Sequence, residues 1–108
     1  MIEELDARNA PEAQLRALHL VESESDERPL GAPRPAEEAL ASYRNPGTIE
    51  RRYWLATEDG EPAAAAFLSE YGASLVIGYV LVRPRFRRRG LGRTLFETLT
   101  GAARAAGI

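Results

Sequence analysis

The sequence predicts an α/β domain in which two helices lead into a three-stranded antiparallel meander and a third helix ends the chain. Three patterns predict this fold: an amphipathic stretch after Pro11, an Asp59-Gly60 turn between apolar segments, and regularly spaced leucines after Gly90. With 108 residues, 44% of them hydrophobic, the chain is expected to form one domain with a thin core. Residues 1–49 form its helical half, and residues 50–108 form the sheet and the last helix.

Both helices of the first half have recognisable ends. The first helix follows Pro11, a residue suited to a first helical turn, and ends near Ser23, with Asn9 as its expected cap. Three prolines, a glycine and several charges predict a loop over residues 25–35. The sequence Ala36-Glu-Glu-Ala-Leu-Ala-Ser-Tyr43 predicts a short second helix, which Asn45-Pro46-Gly47 should end.

Three extended segments form the meander. Residues 51–57 and 63–71 are mostly aromatic or apolar, and the Asp59-Gly60 pair between them is a strong hairpin signal. Residues 74–82 return as a third strand. Because this strand is apolar at nearly every position, we expect it to be covered on both faces.

The last helix is amphipathic. Its apolar residues recur at intervals of three or four, which places them on one stripe. These residues are Leu91, Leu95, Leu99, Ala102 and Ala106. The stripe should pack onto the sheet.

Charge is distributed unevenly along the chain. The net charge is −2, but residues 1–27 hold eight acidic groups against two arginines, whereas residues 83–93 hold six arginines and no acidic group. We expect the acidic region to be solvated helix surface and the basic region to bind an anion. All fourteen basic residues are arginine, whose planar guanidinium suits phosphate.

The expected anion site is the junction between the third strand and the last helix. Pro84 stops the strand, and Gly90 and Gly92 lack the Cβ atoms that would hold a ligand away from the backbone. A helix N-terminus leaves about four amides without intrahelical partners, and its dipole favours negative charge. A pyrophosphate placed here would meet both features.

The segment Val80-Leu-Val-Arg-Pro-Arg-Phe-Arg-Arg-Arg-Gly-Leu-Gly-Arg-Thr-Leu95 resembles the coenzyme-A-binding motif of the GNAT superfamily of N-acetyltransferases. It has the hydrophobic strand, Val-x-Pro, aromatic residue and Arg-x-x-Gly-x-Gly of that motif, with Arg87, Gly90 and Gly92 at the diagnostic positions. The order of elements is also similar, since members of the family open with a strand and two helices and continue through an antiparallel meander. The resemblance extends more weakly from about Glu50 to Ile108.

The resemblance implies an N-acetyltransferase that moves an acetyl group from acetyl-coenzyme A, a co-substrate, to an amine by direct attack. It implies that pantetheine pairs with the third strand, and that a strand amide stabilises the oxyanion. The pyrophosphate would lie on the amides that follow, and arginine side chains would add charge complementarity. The expected coenzyme-binding residues are Val80, Leu81, Val82, Arg87, Arg88, Arg89, Gly90, Leu91, Gly92, Arg93 and Thr94.

Proton transfer has two candidate residues. Some members of the family carry a carboxylate base in the strand that corresponds to residues 74–82, and that strand contains no acidic residue here. Glu70 and Tyr79 are therefore the candidate catalytic residues, with an ordered water as a further route. No metal site is expected, because the chain has no cysteine and one histidine.

The resemblance also implies a truncated fold. Members of the family continue beyond the position of Ile108 into another strand, a helix with a tyrosine that protonates the departing thiolate, and a closing hairpin. We therefore expect an exposed sheet edge and uncovered apolar surface. Such a chain could be a natural truncation, a piece of a longer protein, or a subunit completed as a homodimer by a second copy.

Two other functions stay open: a non-catalytic fragment that binds coenzyme A, and an arginine-rich module that binds nucleic acid. The negative net charge and the position of most aromatics on predicted strands make nucleic acid an unexpected partner. A dinucleotide fingerprint is excluded because Leu95 occupies its third glycine position, and a nucleotide phosphate loop is excluded because the chain has no lysine.

The partners expected are an acyl-coenzyme A and a small-molecule or peptide amine. No stretch approaches the roughly 20 apolar residues that span a bilayer, and the N-terminus lacks the basic start of a signal peptide. A cytoplasmic protein without a membrane partner is therefore expected.

Overall fold

The computed structural model describes residues 1–24, 34–47, 49–72 and 75–107. Within these residues the first strand is followed by two helices, three further strands and a last helix, which is the predicted α/β arrangement with one added strand. A single 3₁₀ turn, Pro84–Phe86, precedes the last helix. In chain order the elements are β1 (Ile2–Leu5), α1 (Glu12–Glu24), α2 (Ala36–Arg44), β2 (Glu50–Glu58), β3 (Glu61–Tyr71), β4 (Leu75–Val82) and α3 (Leu91–Ala105).

The predicted meander is present, and β1 extends it by one strand. The strands are antiparallel and lie in the order β1-β2-β3-β4. Ile2 and Leu5 pack into the cores on opposite faces of the sheet, and the amino group of Met1 donates to the carbonyl oxygen of Thr57 at 2.8 Å. Glu3 and Glu4 are therefore strand residues, and their assignment to a helix surface was wrong.

The hairpin between β2 and β3 has the predicted turn. Asp59 and Gly60 have φ angles of 51° and 79°, so both lie in the left-handed region that a tight two-residue turn requires. Glu58 pairs with Glu61 across the turn. This turn therefore fixes the positions of two glutamates at one end of the sheet.

Helices cover both faces of the sheet. On one face, α1 and α2 bury Leu15, Leu18 and Tyr43 against the sheet. On the other face, α3 buries Leu95 and Leu99 against a core that includes the single tryptophan, Trp54. Four consecutive alanines of β3, residues 63–66, are fully buried, and their small side chains allow both layers to approach the central strand.

Strand β4 forms one edge of the sheet and is less covered than its composition predicts. Leu81 is buried, but Leu75 and Ile77 are 52% and 42% exposed, so the expectation of cover along the whole strand was wrong for its first half. Leu75 and Ile77 lie on the same face as Leu81, which α1 covers, and α1 packs mainly on β3 with few contacts to β4. The predicted exposed edge is present, while Ser74 lies outside the described residues.

The remaining predicted boundaries hold to within one or two residues. Asn9 does not cap α1: its side-chain amide donates to Asp6 at 2.8 Å, and the carbonyl of Pro11 accepts the first helical amides instead. The predicted loop over residues 25–35 lies mostly outside the described residues. None of the described helices is long and apolar enough to cross a membrane.

Candidate functional site

An open cleft lies where β4 ends and α3 begins. Its volume is about 230 Å³, and it is bounded by the last residue of β4, the turn after it, and the first turn of α3. Seven of its eight lining residues belong to the predicted coenzyme-binding set, and Phe86 is the exception. The lining residues are Val82, Phe86, Arg87, Arg88, Gly90, Leu91, Gly92 and Arg93.

The backbone at the entrance of α3 provides the amides that the sequence predicted. The amide of Thr94 closes the first helical turn on the carbonyl of Gly90 at 3.1 Å, and the amide of Arg87 donates to Pro84 at 3.3 Å. Within the described parts of the chain, no acceptor is present for the amides of residues 88–93. The last four of these amides, at residues 90–93, are the donors expected where a helix begins.

Two glycines shape this turn in different ways. Gly90, the residue before α3, has a φ of 79°, and Arg88 has a φ of 65°, so the chain passes twice through the left-handed region. Gly92 is helical, and a Cβ atom built on it would lie 3.6 Å from Cγ2 of Val82, which is ordinary contact. Gly90 is therefore required by backbone conformation, whereas Gly92 leaves space on the cleft side of the helix.

The six arginines of this region fall into two groups. Arg83, Arg85 and Arg89 form ion pairs with Glu24, Glu61 and Glu58, and none of the three lines the cleft. Arg87, Arg88 and Arg93 line the cleft. Arg88 and Arg93 are exposed, and within the described residues their side chains have no ion pair.

The exposed edge of β4 supplies further backbone groups beside the cleft. The amide of Arg83 donates to the carbonyl of Ala63 at 2.9 Å, so it points toward β3. Because backbone groups alternate in an antiparallel ladder, those of Val82 and Val80 point away from β3, to the open edge. Leu81 lies between them with its backbone directed inward and its side chain 1% exposed in the core.

The two catalytic candidates occupy different places. Glu70 pairs with Val76, six residues before Val82, so it lies roughly 20 Å from the cleft along β4. Tyr79 lies nearer, about 10 Å along the strand from Val82, but its ring packs on the α1 face, stacked on Phe67 with centroids 4.7 Å apart. The structure does not bring Glu70 and Tyr79 together.

Tyr79 belongs to a row of aromatic rings that crosses the sheet. Tyr43 of α2 contacts Tyr53, Tyr53 contacts Phe67, and Phe67 stacks on Tyr79, with centroid distances of 5.3, 5.6 and 4.7 Å. Burial raises the pKa of Tyr79 to about 12, and the negative charge of Glu22 acts in the same direction. At neutral pH the phenol therefore keeps its proton, which makes it a donor rather than a base.

Thr94 has an internal role. Its hydroxyl donates to the carbonyl of Gly90 at 3.0 Å, the same oxygen that accepts the Thr94 amide. The side chain thus reinforces the first turn of α3, and Thr94 does not line the cleft.

The sequence reasoning missed two sets of contacts. Phe86 is buried beneath the arginines and forms part of the cleft wall; its signal was a single aromatic residue within a basic run. Glu22 accepts hydrogen bonds from the hydroxyl of Tyr43 and, at 3.0 Å, from Arg34. No sequence pattern indicated this second cluster, because its three members come from distant parts of the chain.

Comparison with known proteins agrees with the motif. The family described as the Acetyltransferase (GNAT) family matches residues 15–108. No curated protein matches the chain significantly. Among solved structures, the chain is similar to a tandem GNAT protein from the clavulanic acid biosynthesis pathway, at 25% identity over 98% of this chain, with a TM-score of 0.75.

Two further solved structures share the fold. An N-acetyltransferase from Staphylococcus aureus Mu50 is 17% identical over 99% of this chain, with a TM-score of 0.72. The yncA protein of Salmonella typhimurium, solved with its cofactor acetyl-CoA, is 20% identical over 99%, also with a TM-score of 0.72. The chain covers 34% of the tandem protein, 67% of the Staphylococcus protein and 64% of the Salmonella protein.

Proposed function

Since this chain belongs to the GNAT acetyltransferase family, we propose that it binds acetyl-coenzyme A and supports transfer of the acetyl group to an amine. The observation that carries the proposal is the set of free amides at residues 88–93, placed beside the open edge of β4. The free amides suit a diphosphate, and the open edge of β4 suits an extended chain that contains amides. Acetyl-coenzyme A contains both groups.

The diphosphate is proposed to lie in the cleft at the start of α3. The amides of Gly90, Leu91 and Gly92 would donate to it, with the helix dipole favouring its charge. The missing Cβ of Gly92 leaves room for a phosphate oxygen beside the backbone. Arg88 and Arg93 are the side chains best placed to add charge, because both line the cleft and are free of ion pairs in the described residues.

The pantetheine arm is proposed to follow β4. The outward backbone groups of Val80 and Val82 would pair with its two amides, as an added strand does. An outward amide from one of these residues would also stabilise the oxyanion that forms when an amine attacks the thioester. Such an amide is rigid because β4 is held by β3 along its whole length.

Proton transfer is proposed to use Tyr79 and water rather than Glu70. Glu70 pairs with Val76, which is roughly 13 Å along β4 from Val80, the nearer of the two residues proposed to hold the pantetheine. A base must come within hydrogen-bond reach of the amine or act through one water, so Glu70 is too far from the proposed position of the thioester. Tyr79 keeps its proton at neutral pH, because burial raises its pKa to about 12. It is therefore suited to protonate a departing thiolate, and water would take the proton of the amine.

The paired arginines favour a coenzyme over a nucleic acid. Three of the six arginines in residues 83–93 are neutralised by glutamates, so the region is not a continuous basic stripe. Arg88 and Arg93, which have no ion pair within the described residues, both lie at one small cleft. A compact ligand with clustered phosphates fits this arrangement better than an extended backbone with evenly spaced ones.

Calorimetry with acetyl-coenzyme A tests the binding. Saturable binding that competes with coenzyme A but not with a short oligonucleotide would support the proposal, and tighter binding of the oligonucleotide would contradict it. Release of free coenzyme A in the presence of a panel of primary amines then tests the transfer. Binding without release for any amine would favour the non-catalytic alternative.

A further inference from the structure

The ring of Phe86 lies beneath three guanidinium groups. The guanidinium carbons, Cζ, of Arg83, Arg85 and Arg89 lie 5.5, 4.7 and 5.4 Å from the centroid of the ring. Phe86 itself is 6% exposed. We refer to these four residues as the Phe86 cluster. Each contact is in the range where a cation is attracted to an aromatic face.

Each arginine of the Phe86 cluster also binds a carboxylate from another part of the fold. Arg89 contacts Glu58 at 2.8 Å, and Arg85 pairs with Glu61. These two glutamates flank the Asp59-Gly60 turn. The β2–β3 hairpin is therefore joined to the arginine-rich turn by two ion pairs.

Arg83 adds a third attachment to the Phe86 cluster. It contacts Glu24 at the end of α1 at 2.8 Å and donates to the carbonyl of Pro62 at 2.7 Å. Its side chain is only 12% exposed. The residues between β4 and α3 are thus tied both to the hairpin and to α1.

The three arginines of the Phe86 cluster do not contribute to the cleft. Phe86 forms part of the cleft wall, but Arg83, Arg85 and Arg89 do not line the cleft. The neighbouring Arg88, with a φ of 65°, points its side chain into the cleft lining instead. The adjacent arginines Arg88 and Arg89 therefore differ in their contacts, since Arg88 lines the cleft and Arg89 pairs with Glu58.

We propose that Arg85 and Arg89, with Glu58 and Glu61, are positioning residues: they hold Phe86 and the turn in the shape that presents the amides of residues 88–93, and they do not bind phosphate. This inference rests on the proposed function, because it concerns the same coenzyme site. It assigns a role in coenzyme binding to the β2–β3 hairpin, which lies outside the binding motif.

Removing the charge of Glu58 shows whether Arg89 positions the turn or binds phosphate, because the two roles change the affinity for coenzyme A in opposite directions. If Arg89 bound phosphate, Glu58 would compete for it, and Glu58→Gln would tighten the binding of coenzyme A. If the pair positions the turn, the same change loosens the turn and weakens binding. All six arginines remain in this variant, so a weakening cannot come from a lost cation.

The chain offers a matched control. Arg52 and Glu4 form an ion pair at 2.8 Å with comparable exposure, on the strands far from β4. Glu4→Gln and Arg52→Gln change the net charge as Glu58→Gln and Arg89→Gln do. They measure the general effect of charge on the affinity for an anion.

The experiment measures coenzyme A affinity by calorimetry for these four variants and for the double variant Glu58→Gln/Arg89→Gln. We expect each single variant of the Glu58–Arg89 pair to weaken binding by about 2–5-fold, the range of an exposed ion pair of about 0.4–1 kcal/mol. The double variant should be no weaker than about 5-fold, because both changes break one contact. The control variants should stay within about 1.5-fold.

Unchanged or tighter binding by Glu58→Gln overturns the proposal. A double variant whose loss equals the product of the single losses also overturns it. If the wild-type protein does not bind coenzyme A, the proposed function fails. The positioning role can then still be tested by NMR on the protein without ligand. In that case the amide resonances of Gly90 and Gly92 must shift in Glu58→Gln and not in Glu4→Gln; unshifted resonances refute it.

Discussion

Substitutions of Gly92 separate the folding role of this residue from its role in the proposed binding site. Gly92→Ala should leave the fold intact, because the new Cβ would lie 3.6 Å from Val82, an ordinary contact. Alanine is also the better helix former, so the free energy of unfolding should stay equal or rise by up to about 1 kcal/mol. Denaturant unfolding measures this change.

Gly92→Glu places a carboxylate in the cleft where the diphosphate is proposed to bind. Two unit charges at roughly 5 Å repel by about 3 kcal/mol at an effective dielectric constant of about 20, which corresponds to a loss in affinity of more than about 100-fold. Gly92→Gln has the same size without the charge, and it should lose less. The difference between the two variants isolates the electrostatic part.

Calorimetry with acetyl-coenzyme A measures all three variants, and thermal unfolding confirms that each is folded. A diphosphate bound in the cleft requires that affinity decrease in the order Gly92→Ala, Gly92→Gln, Gly92→Glu. A folded Gly92→Glu protein that binds as tightly as Gly92→Ala would show that the diphosphate lies elsewhere. An unfolded Gly92→Ala protein would show that the space beside Val82 is needed for packing.

Three further predictions concern stability. Gly90→Ala forces a side chain into the left-handed region, since Gly90 has a φ of 79°, and should lower the free energy of unfolding by about 1–2 kcal/mol, in contrast to Gly92→Ala; a neutral result in denaturant unfolding would contradict the backbone argument. Burial raises the pKa of Tyr79 to about 12, so the phenol of the unfolded chain loses its proton at a lower pH than the phenol of the folded protein. The stability that this difference provides should be complete below about pH 10 and should fall by up to about 2–3 kcal/mol as the pH rises toward 12. Denaturant unfolding across this pH range should show a smaller fall for Tyr79→Phe. Tyr43→Phe removes a buried hydrogen bond to the Glu22 carboxylate and should cost about 1–3 kcal/mol, whereas Tyr71→Phe, on a residue 36% exposed, should cost less than about 0.5 kcal/mol; equal losses would show that the hydrogen bond contributes nothing.

The fold was predictable where a local sequence pattern was compatible with only one type of secondary structure. The Asp59-Gly60 pair defined the hairpin, and the leucine spacing after Gly90 defined α3 to within one residue. Strand β1 was not located, because Ile2 and Leu5 are three residues apart, which also fits a helix. Only pairing with β2, a contact distant in sequence, makes this segment a strand.

The candidate site was predictable in its backbone and not in its side chains. Glycine spacing and the start of a helix indicated the free amides, which are a local property of the chain. The partners of Arg85 and Arg89 come from the hairpin, more than twenty residues earlier, so composition alone could not separate paired from free arginines. The same limit applies to Glu22, which meets Tyr43 only through the packing of α1 on α2.

The two helical layers of the domain contain different aromatic side chains, so each layer can be followed by a separate optical signal. The indole of Trp54 is the only one in the chain, and it lies in the core beneath α3. The buried tyrosines Tyr43, on α2, and Tyr53, on β2, lie in the core on the opposite face of the sheet. Indole emission should therefore follow the detachment of α3, while near-ultraviolet dichroism of the phenols should follow the opposite layer. Melting curves from the two signals that coincide would indicate a single cooperative unit, and curves that separate would show one layer loosening before the other.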